Sequence, residues 1–158
     1  DKLWALGPHE IQFGILKRLR GTPIIRHTDA FGMIYDPYPP YTILANRLID
    51  FSTMQRLVRF ARYWDLVANS GRFAHTLPVM LGDAPFANFM AFSDWIYGKT
   101  DATHRIALDR LAKLVGEWLQ TRGMSATEAA SLLSRDIAGK TDAPATSAPA
   151  RQTRHLAA

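Results

Sequence analysis

The helical spacing of apolar residues after Asp50 constrains the fold of this chain more than any other feature. The clearest example lies between Arg105 and Arg122, where apolar residues recur every three or four positions and so share one side of a helix. These residues are Leu108, Leu111, Leu114, Val115, Trp118 and Leu119. The residues on the opposite side are Arg110, Lys113, Glu117 and Gln120. The spacing therefore predicts an amphipathic helix that packs against other helices.

Further helices are predicted from apolar spacing together with start and stop signals. They are Phe51–Asn69, Arg72–Leu81, Phe86–Tyr97 and a last helix that ends at Gly139. Asp50 supplies an N-cap for the first, and Asp83 followed by Pro85 supplies a cap and a first-turn proline for the third. Ser125 and Glu128 have the spacing of a capping box for the last helix. The aromatic residues at helical spacing are predicted to form the core: Phe60, Trp64, Phe86, Phe89, Phe92, Trp95 and Trp118.

A pattern with a period of two precedes the helices. Asp1–Leu6 has the character of a helix end that Gly7-Pro8 terminates, and His9–Leu16 then alternates as a strand does. One face of this predicted strand is formed by Ile11, Phe13 and Ile15, and the other by Glu10, Gln12, Gly14 and Leu16. Because a single strand needs partners, we expect them upstream of Asp1 and expect the chain to be the C-terminal part of a longer protein.

Turn-forming residues separate this strand from the helices. Gly21-Thr22-Pro23 predicts a turn and a helix start rather than a phosphate-binding loop, because neither GxxxxGK[ST] nor GxGxxG is present. The prolines within Asp36–Tyr41 exclude a helix and favour an extended segment. Met33–Tyr35 and Thr42–Ile49 are candidates for short edge strands beside it.

The residue types that are missing exclude several classes of site. The chain has no cysteine, which excludes a disulfide framework, a cysteine-ligated zinc or iron–sulfur site and a cysteine nucleophile within its 158 residues. Its histidines lack the HxxxH and HExxH spacings of metal sites. No apolar run approaches the ~18–20 residues of a membrane span. This composition is compatible with a cytoplasmic protein, and we expect that location and no membrane partner.

The positive charge is a weak indicator of nucleic-acid binding. The net charge is +5, but residues 140–158 carry two of these charges, so the folded part is only mildly basic. The one basic face at helical spacing is formed by Arg56, Arg59 and Arg62. A solvated helix face is the simpler interpretation of it. A helical interaction or nucleic-acid-binding module that uses this face stays open as an alternative function, although nucleic acid is not the expected partner.

Three long stretches resemble one group of known proteins. They are LGPHEIQFGILKRLRGTPIIRHTDAFGMIYDPYPPYTIL from Leu6, LIDFSTMQRLVRFARYWDLVANSGRF from Leu48 and FMAFSDWIYGKT from Phe89. Together with their surroundings, from about Leu3 to Leu119, they resemble the C-terminal part of cobalamin-binding radical SAM proteins, in which a domain of unknown function follows the radical SAM core. The resemblance implies that the CxxxCxxC cluster motif and the cobalamin-binding histidine loop belong upstream.

The resemblance also implies a place and a chemistry for the predicted strand. His9–Leu16 is then the last strand of a partial (β/α)₆ barrel, with Gln12 facing the lumen and Gly14, Ile15 and Leu16 bordering the adenosyl group of S-adenosylmethionine. In such a parent a [4Fe–4S] cluster cleaves S-adenosylmethionine reductively to a 5′-deoxyadenosyl radical, and cobalamin is a further cofactor. No cofactor is expected to be held by this chain alone. The resemblance leaves the catalytic residues and the substrate undetermined.

The expected fold class is therefore mostly α, an α+β fragment in which a helical domain follows a barrel strand. Residues 1–27 are assigned to the end of the barrel and residues 28–49 to an extended Pro- and Tyr-rich connection. Residues 50–139 form the helical C-terminal domain. Residues 140–158, rich in Ala, Pro, Thr and Ser, are predicted to be a disordered tail. The expected partners of the chain are the upstream barrel and cobalamin-binding domain of the same parent.

Overall fold

The computed structural model describes residues 1–138, and within them the chain is mostly helical with one two-stranded sheet. In chain order the elements are α1 Lys2–Ala5, a 3₁₀ helix Pro23–His27, α2 Thr28–Phe31, β1 Ile34–Tyr35, β2 Ile43–Ala45, α3 Phe51–Val67, α4 Thr76–Leu81, α5 Pro85–Thr100, α6 Leu108–Thr121 and α7 Ala126–Ala138. The predicted mostly α fold class is confirmed. The predicted helix end at Gly139 and the predicted tail lie outside the described residues.

Helices α3–α7 enclose the hydrophobic core. Helix α3 packs along α5, α6 packs along α7, and α4 contacts both α5 and α7. The largest side chains that are fully buried between these helices are Tyr63, Phe89, Phe92, Leu81 and Ile96. The buried hydroxyl of Tyr63 donates to the carbonyl of Ala102 at 2.8 Å, and burial raises the pKa of this hydroxyl. A tyrosine can thus be completely enclosed because its one polar group has a partner.

The predicted N-terminal caps of α3 and α7, which form between residues close in sequence, are confirmed. The Asp50 carboxylate accepts from the backbone N–H of Thr53 at 2.7 Å, which lowers its pKa. At α7 the Glu128 carboxylate accepts from the hydroxyl and the N–H of Ser125, and the Ser125 hydroxyl accepts from Glu128 N at 3.2 Å. These hydrogen bonds lower the pKa of Glu128 as well. Both caps satisfy backbone N–H groups that the first turn of a helix leaves free.

The start of α5 differs from the prediction. The N-cap residue is Ala84 rather than Asp83, and the carboxylate that reaches this helix end belongs to Asp1, which accepts from Phe86 N at 2.8 Å. The predicted stop at Gly98 is also wrong, because α5 continues to Thr100. A residue distant in sequence thus supplies the cap that a neighbour was expected to supply.

Most of the predicted aromatic core is buried, and one member is not. Phe60, Trp64, Phe89, Phe92 and Trp118 are buried, and Trp95 is partly buried. Phe86 is 46% exposed because it lies in the first turn of α5, at the edge of the core.

Two other helices begin later than predicted, while the apolar stripe of α6 follows the prediction closely. Helix α6 begins at Leu108 rather than Arg105, and α4 begins at Thr76 rather than Arg72. The stripe predicted for α6 is buried except for Leu108, which is 42% exposed at the first helical position.

Residues 17–49 form a small hairpin and turn region with little core of its own. Strands β1 and β2 pair antiparallel, with Ile34 opposite Ala45, which confirms the two predicted edge strands in shortened form. Gly21 has a left-handed φ of 77° before the 3₁₀ helix that begins at Pro23, so the predicted turn and helix start are confirmed. Within residues 1–49 only Ile43 is buried.

The predicted strand over His9–Leu16 is not a hydrogen-bonded strand within residues 1–138. The nearest pairing is an isolated antiparallel bridge between Lys17 and Thr42. Burial alternates only in part, since Ile11 and Ile15 are half-buried and Gln12 and Gly14 are exposed, while Phe13 of the predicted apolar face is 40% exposed. The segment therefore has part of the side-chain pattern of a strand but lacks a partner along most of its length.

Candidate functional site

The candidate site is segment 9–16 together with the part of α3 on which it lies. The ring of Phe13 meets the rings of Phe60 and Trp64 edge-on, with centroid distances of 5.1 and 5.4 Å. Ile11 packs against the same core. The apolar face predicted for this segment thus rests on the helical domain, and edge-on aromatic contacts of this kind are favourable.

The backbone of Ile11 is held by a side chain of the helical domain. Asn69, just beyond the end of α3, accepts from Ile11 N at 3.3 Å and donates to Ile11 O at 3.0 Å. The same side-chain amide donates to the Asp65 carboxylate at 3.0 Å. One asparagine therefore satisfies both backbone groups of a residue 58 positions away.

The opposite face of the segment is open. A Cβ atom built on Gly14 would have no other atom within 4 Å, and Gln12 donates only to the neighbouring Glu10 carboxylate at 3.0 Å. An open cavity of about 610 Å³ lies between the segment and the end of α3, lined by Glu10, Gln12, Phe13, Gly14, Asp65 and Asn69. Ile15 is half-buried and Leu16 is 37% exposed.

The backbone of residues 12–15 is free on both sides. Within residues 1–138 its amide and carbonyl groups form no hydrogen bond. Pairing resumes at Leu16, whose carbonyl accepts from Ile43 N at 2.9 Å, and at Arg18, whose N–H donates to Tyr41 O at 2.9 Å. The four residues are thus held at both ends and unpaired between them.

The loop that follows the segment is basic. Arg18 lies over the ring of Tyr35 at 5.1 Å, and the Thr22 hydroxyl closes the turn by donating to Leu19 O at 2.6 Å. A cavity of about 630 Å³ is lined by Arg18, Leu19, Arg20, Gly21, Thr22, Ile25 and Tyr41. Neither Arg18 nor Arg20 forms an ion pair within the part of the chain that the structure describes.

The arginine face of α3 is largely used inside the domain. Arg56 binds Asp94 of α5 through two nitrogens, at 3.1 and 2.6 Å, and this bonding raises the pKa of the guanidinium. Arg59 lies 4.0 Å from the same carboxylate and 4.4 Å from the ring centre of Tyr97. Of the three arginines only Arg62 projects without such a partner in the described residues.

One buried carboxylate was not anticipated from the sequence. Asp136 of α7 is 7% exposed and accepts from His75 N at 2.6 Å and from the Thr76 hydroxyl at 2.5 Å. It thereby caps the start of α4 and joins α7 to it. No local sequence pattern predicts a helix cap whose carboxylate comes from 60 residues away.

Residues 1–138 contain no group of three or more His, Cys, Asp or Glu side chains placed to hold a metal ion. In the same residues no helix is both long and apolar enough to cross a bilayer.

A family model described as "Protein of unknown function (DUF4080)" matches residues 29–138, which is more than half of the 158 residues. The chain belongs to this DUF4080 family. No curated protein and no solved structure matches it. The DUF4080 match takes in the β1–β2 hairpin together with α3–α7, and segment 9–16 precedes it.

Proposed function

We propose that this DUF4080 chain is the C-terminal segment of a cobalamin-binding radical SAM enzyme of the cytoplasm. Segment 9–16 is then the last strand of the partial (β/α)₆ barrel, and α3–α7 form the accessory domain that supports it. The cluster, S-adenosylmethionine and cobalamin are held mainly by upstream parts of the same parent, since this chain has no cysteine to bind iron.

The unpaired backbone of residues 12–15 is the observation that carries this proposal. Backbone N–H and C=O groups along an alternating segment are normally paired, and an open edge invites a neighbouring strand. Here the apolar face already rests on α3 while the backbone remains free. The last strand of a partial barrel is in the same situation, because helices cover its outer face and its backbone pairs with a neighbouring strand.

Exposed apolar side chains beyond the segment support the same conclusion. Between residues 16 and 48 they are Leu16, Leu19, Ile25, Phe31, Ile34, Tyr38 and Leu48. Exposed large apolar side chains in this number, on a region that has one buried residue, are typical of a surface that another domain covers. In the proposed parent this surface lies against the upstream barrel.

The residues of the open face fit the adenosyl group of S-adenosylmethionine. The space beside Gly14 allows a ligand to approach the backbone closely, and Gln12 offers an amide on the same side. The backbone of Ile15 and the residue Leu16 complete the border, and the Arg18–Pro23 loop lies at the end of the strand, where barrel enzymes place their chemistry. When bound, the cluster supplies the electron for reductive cleavage of S-adenosylmethionine.

Gly14→Val in the intact parent should weaken S-adenosylmethionine binding tenfold or more, about 1.4 kcal/mol. The valine side chain would occupy the space that the adenosyl group needs, without touching the helical domain. Isothermal titration with S-adenosylmethionine measures the effect, and iron content and circular dichroism confirm an intact fold.

Ile15→Val is the matched control because Ile15 is half-buried and directed to the other face. It should cost about 0.5–1.5 kcal/mol of stability and leave binding unchanged. The reverse pattern would mean that the two faces are exchanged. Unchanged binding in both variants would remove this segment from the site.

The chain expressed by itself should bind neither iron nor S-adenosylmethionine, because it has no cysteine and only one strand of the barrel. Anaerobic reconstitution followed by absorption spectroscopy tests this, and a stoichiometric cluster would refute the proposal. The coding sequence upstream of Asp1 provides an independent test. A CxxxCxxC motif in the same reading frame is expected, and a start codon directly before Asp1 would favour a separate interaction module.

A further inference from the structure

We infer that Asn69 is a register clamp that holds segment 9–16 in one alignment on α3, with Asp65 orienting its amide. This inference concerns how the proposed site is positioned, so its biological meaning rests on the proposed function, while the clamp itself is testable in this chain alone.

The hydrogen bonds of Asn69 reproduce what a neighbouring strand would offer. In an antiparallel hydrogen-bonded pair, one residue exchanges both an N–H···O and an O···H–N bond with its partner. Asn69 makes both kinds of bond to Ile11, at 3.3 and 3.0 Å. A side chain thus takes the place of one strand residue at the edge that faces α3.

Asp65 fixes which end of the amide faces which backbone group. It lies one helical turn before Asn69, and its carboxylate accepts only from the nitrogen of the amide, at 3.0 Å. That nitrogen also donates to Ile11 O, so the amide oxygen is left to accept from Ile11 N. Reversing the amide would break every one of these bonds.

The clamp decides which side chains face the open side. A shift of one residue in a strand exchanges its two faces, and Asn69 is the hydrogen-bonding group that opposes such a shift at the N-terminal end of the segment, as the bonds of Leu16 and Arg18 do at its C-terminal end. With Ile11 held, Phe13 meets Phe60 and Trp64, while Gly14 stands in open space. The clamp and the aromatic contacts therefore specify the same register.

The absence of cysteine makes this register measurable by thiol labelling. Gly14→Cys and Ile15→Cys, made separately, each introduce a single thiol. The thiol at position 14 should react faster with a maleimide than the one at position 15, because Gly14 is exposed and Ile15 half-buried. In an Asn69→Ala background the ratio of the two rates should fall toward one, because the loss of one to two net hydrogen bonds weakens the preference for the clamped register by about tenfold.

Asn88→Ala is the matched control. Asn88 also donates from its side-chain amide to a backbone carbonyl, that of Leu81 at 2.8 Å, but this hydrogen bond is made to the end of α4 and not to segment 9–16. It should leave the labelling ratio unchanged. Asp65→Ala gives a second route to the same result, since it removes the orienting carboxylate without touching Ile11, and it should lower the ratio by a smaller factor.

A labelling ratio that is unaffected by Asn69→Ala in a folded chain, or a ratio near one before any change at Asn69, would overturn the clamp. If Asn69→Ala proves unfolded by circular dichroism, the Asp65→Ala result decides in the same way. Titration of the parent with S-adenosylmethionine separates the two proposals. A lost labelling ratio with unchanged S-adenosylmethionine affinity in Asn69→Ala supports the clamp and counts against the proposed site.

Discussion

Trp118→Ala is expected to lower the free energy of unfolding by about 3–5 kcal/mol, as large-to-small changes of buried aromatic residues do. Trp118 is 6% exposed and lies at centroid distances of 5.8 Å from Phe92 and 5.6 Å from Trp95. These contacts join α6 to α5, so the cavity would open between two helices. Urea denaturation followed by far-ultraviolet circular dichroism measures the loss.

Leu108→Ala is the control for this change. Leu108 belongs to the same apolar stripe of α6 but is 42% exposed at the start of the helix. Its replacement should cost less than about 1 kcal/mol, the range of ordinary surface substitutions. A loss of that small size for Trp118→Ala would show that the α5–α6 contact contributes little to the fold.

Asp136→Ala should lower the free energy of unfolding by about 2–4 kcal/mol. The change leaves His75 N and the buried Thr76 hydroxyl without their acceptor, and each unsatisfied buried donor costs about 1–3 kcal/mol. It also removes the carboxylate that caps α4 and ties α7 to it. Thermal and urea unfolding of the variant measure the effect.

Glu128→Ala is the corresponding control, because Glu128 also caps a helix but does so within its own exposed first turn. Its loss should cost about 1 kcal/mol. Equal losses for the two variants would mean that Asp136 acts as a local cap only and does not join α7 to α4.

The parts of the fold that depend on neighbouring residues were predictable from the sequence. Asp50 and the Ser125–Glu128 pair cap their helices as expected, because a cap needs partners only three residues away. The stripe of α6 was equally clear. The exposure of Phe86 was not predictable, because α5 is apolar on several sides and its packing on α3 decides which face is enclosed.

The parts that depend on distant residues were not predictable. Asp1 supplies the hydrogen bond at the start of α5, Asp136 caps α4 and Asn69 holds Ile11, and each of these contacts spans 58 or more positions. Single polar residues carry no periodic signal. The alternation of residues 9–16 therefore predicted this segment as a candidate site, but no sequence pattern predicted that Asn69 would hold it. The strand over His9–Leu16 stays a prediction, since a strand is defined by its pairing and its expected partners lie upstream of Asp1.

The long separation between Ile11 and Asn69 affects the order in which the protein assembles during its synthesis on the ribosome. Translation at about 5–20 residues per second leaves roughly 3–12 s between the two residues. Small domains fold in microseconds to seconds, so in the proposed parent a barrel strand made earlier has time to pair with residues 12–15 before α3 exists. If the proposed function holds, synthesis thus favours a fixed order of assembly, in which the upstream barrel strand joins residues 12–15 first and Asn69 closes on Ile11 afterwards.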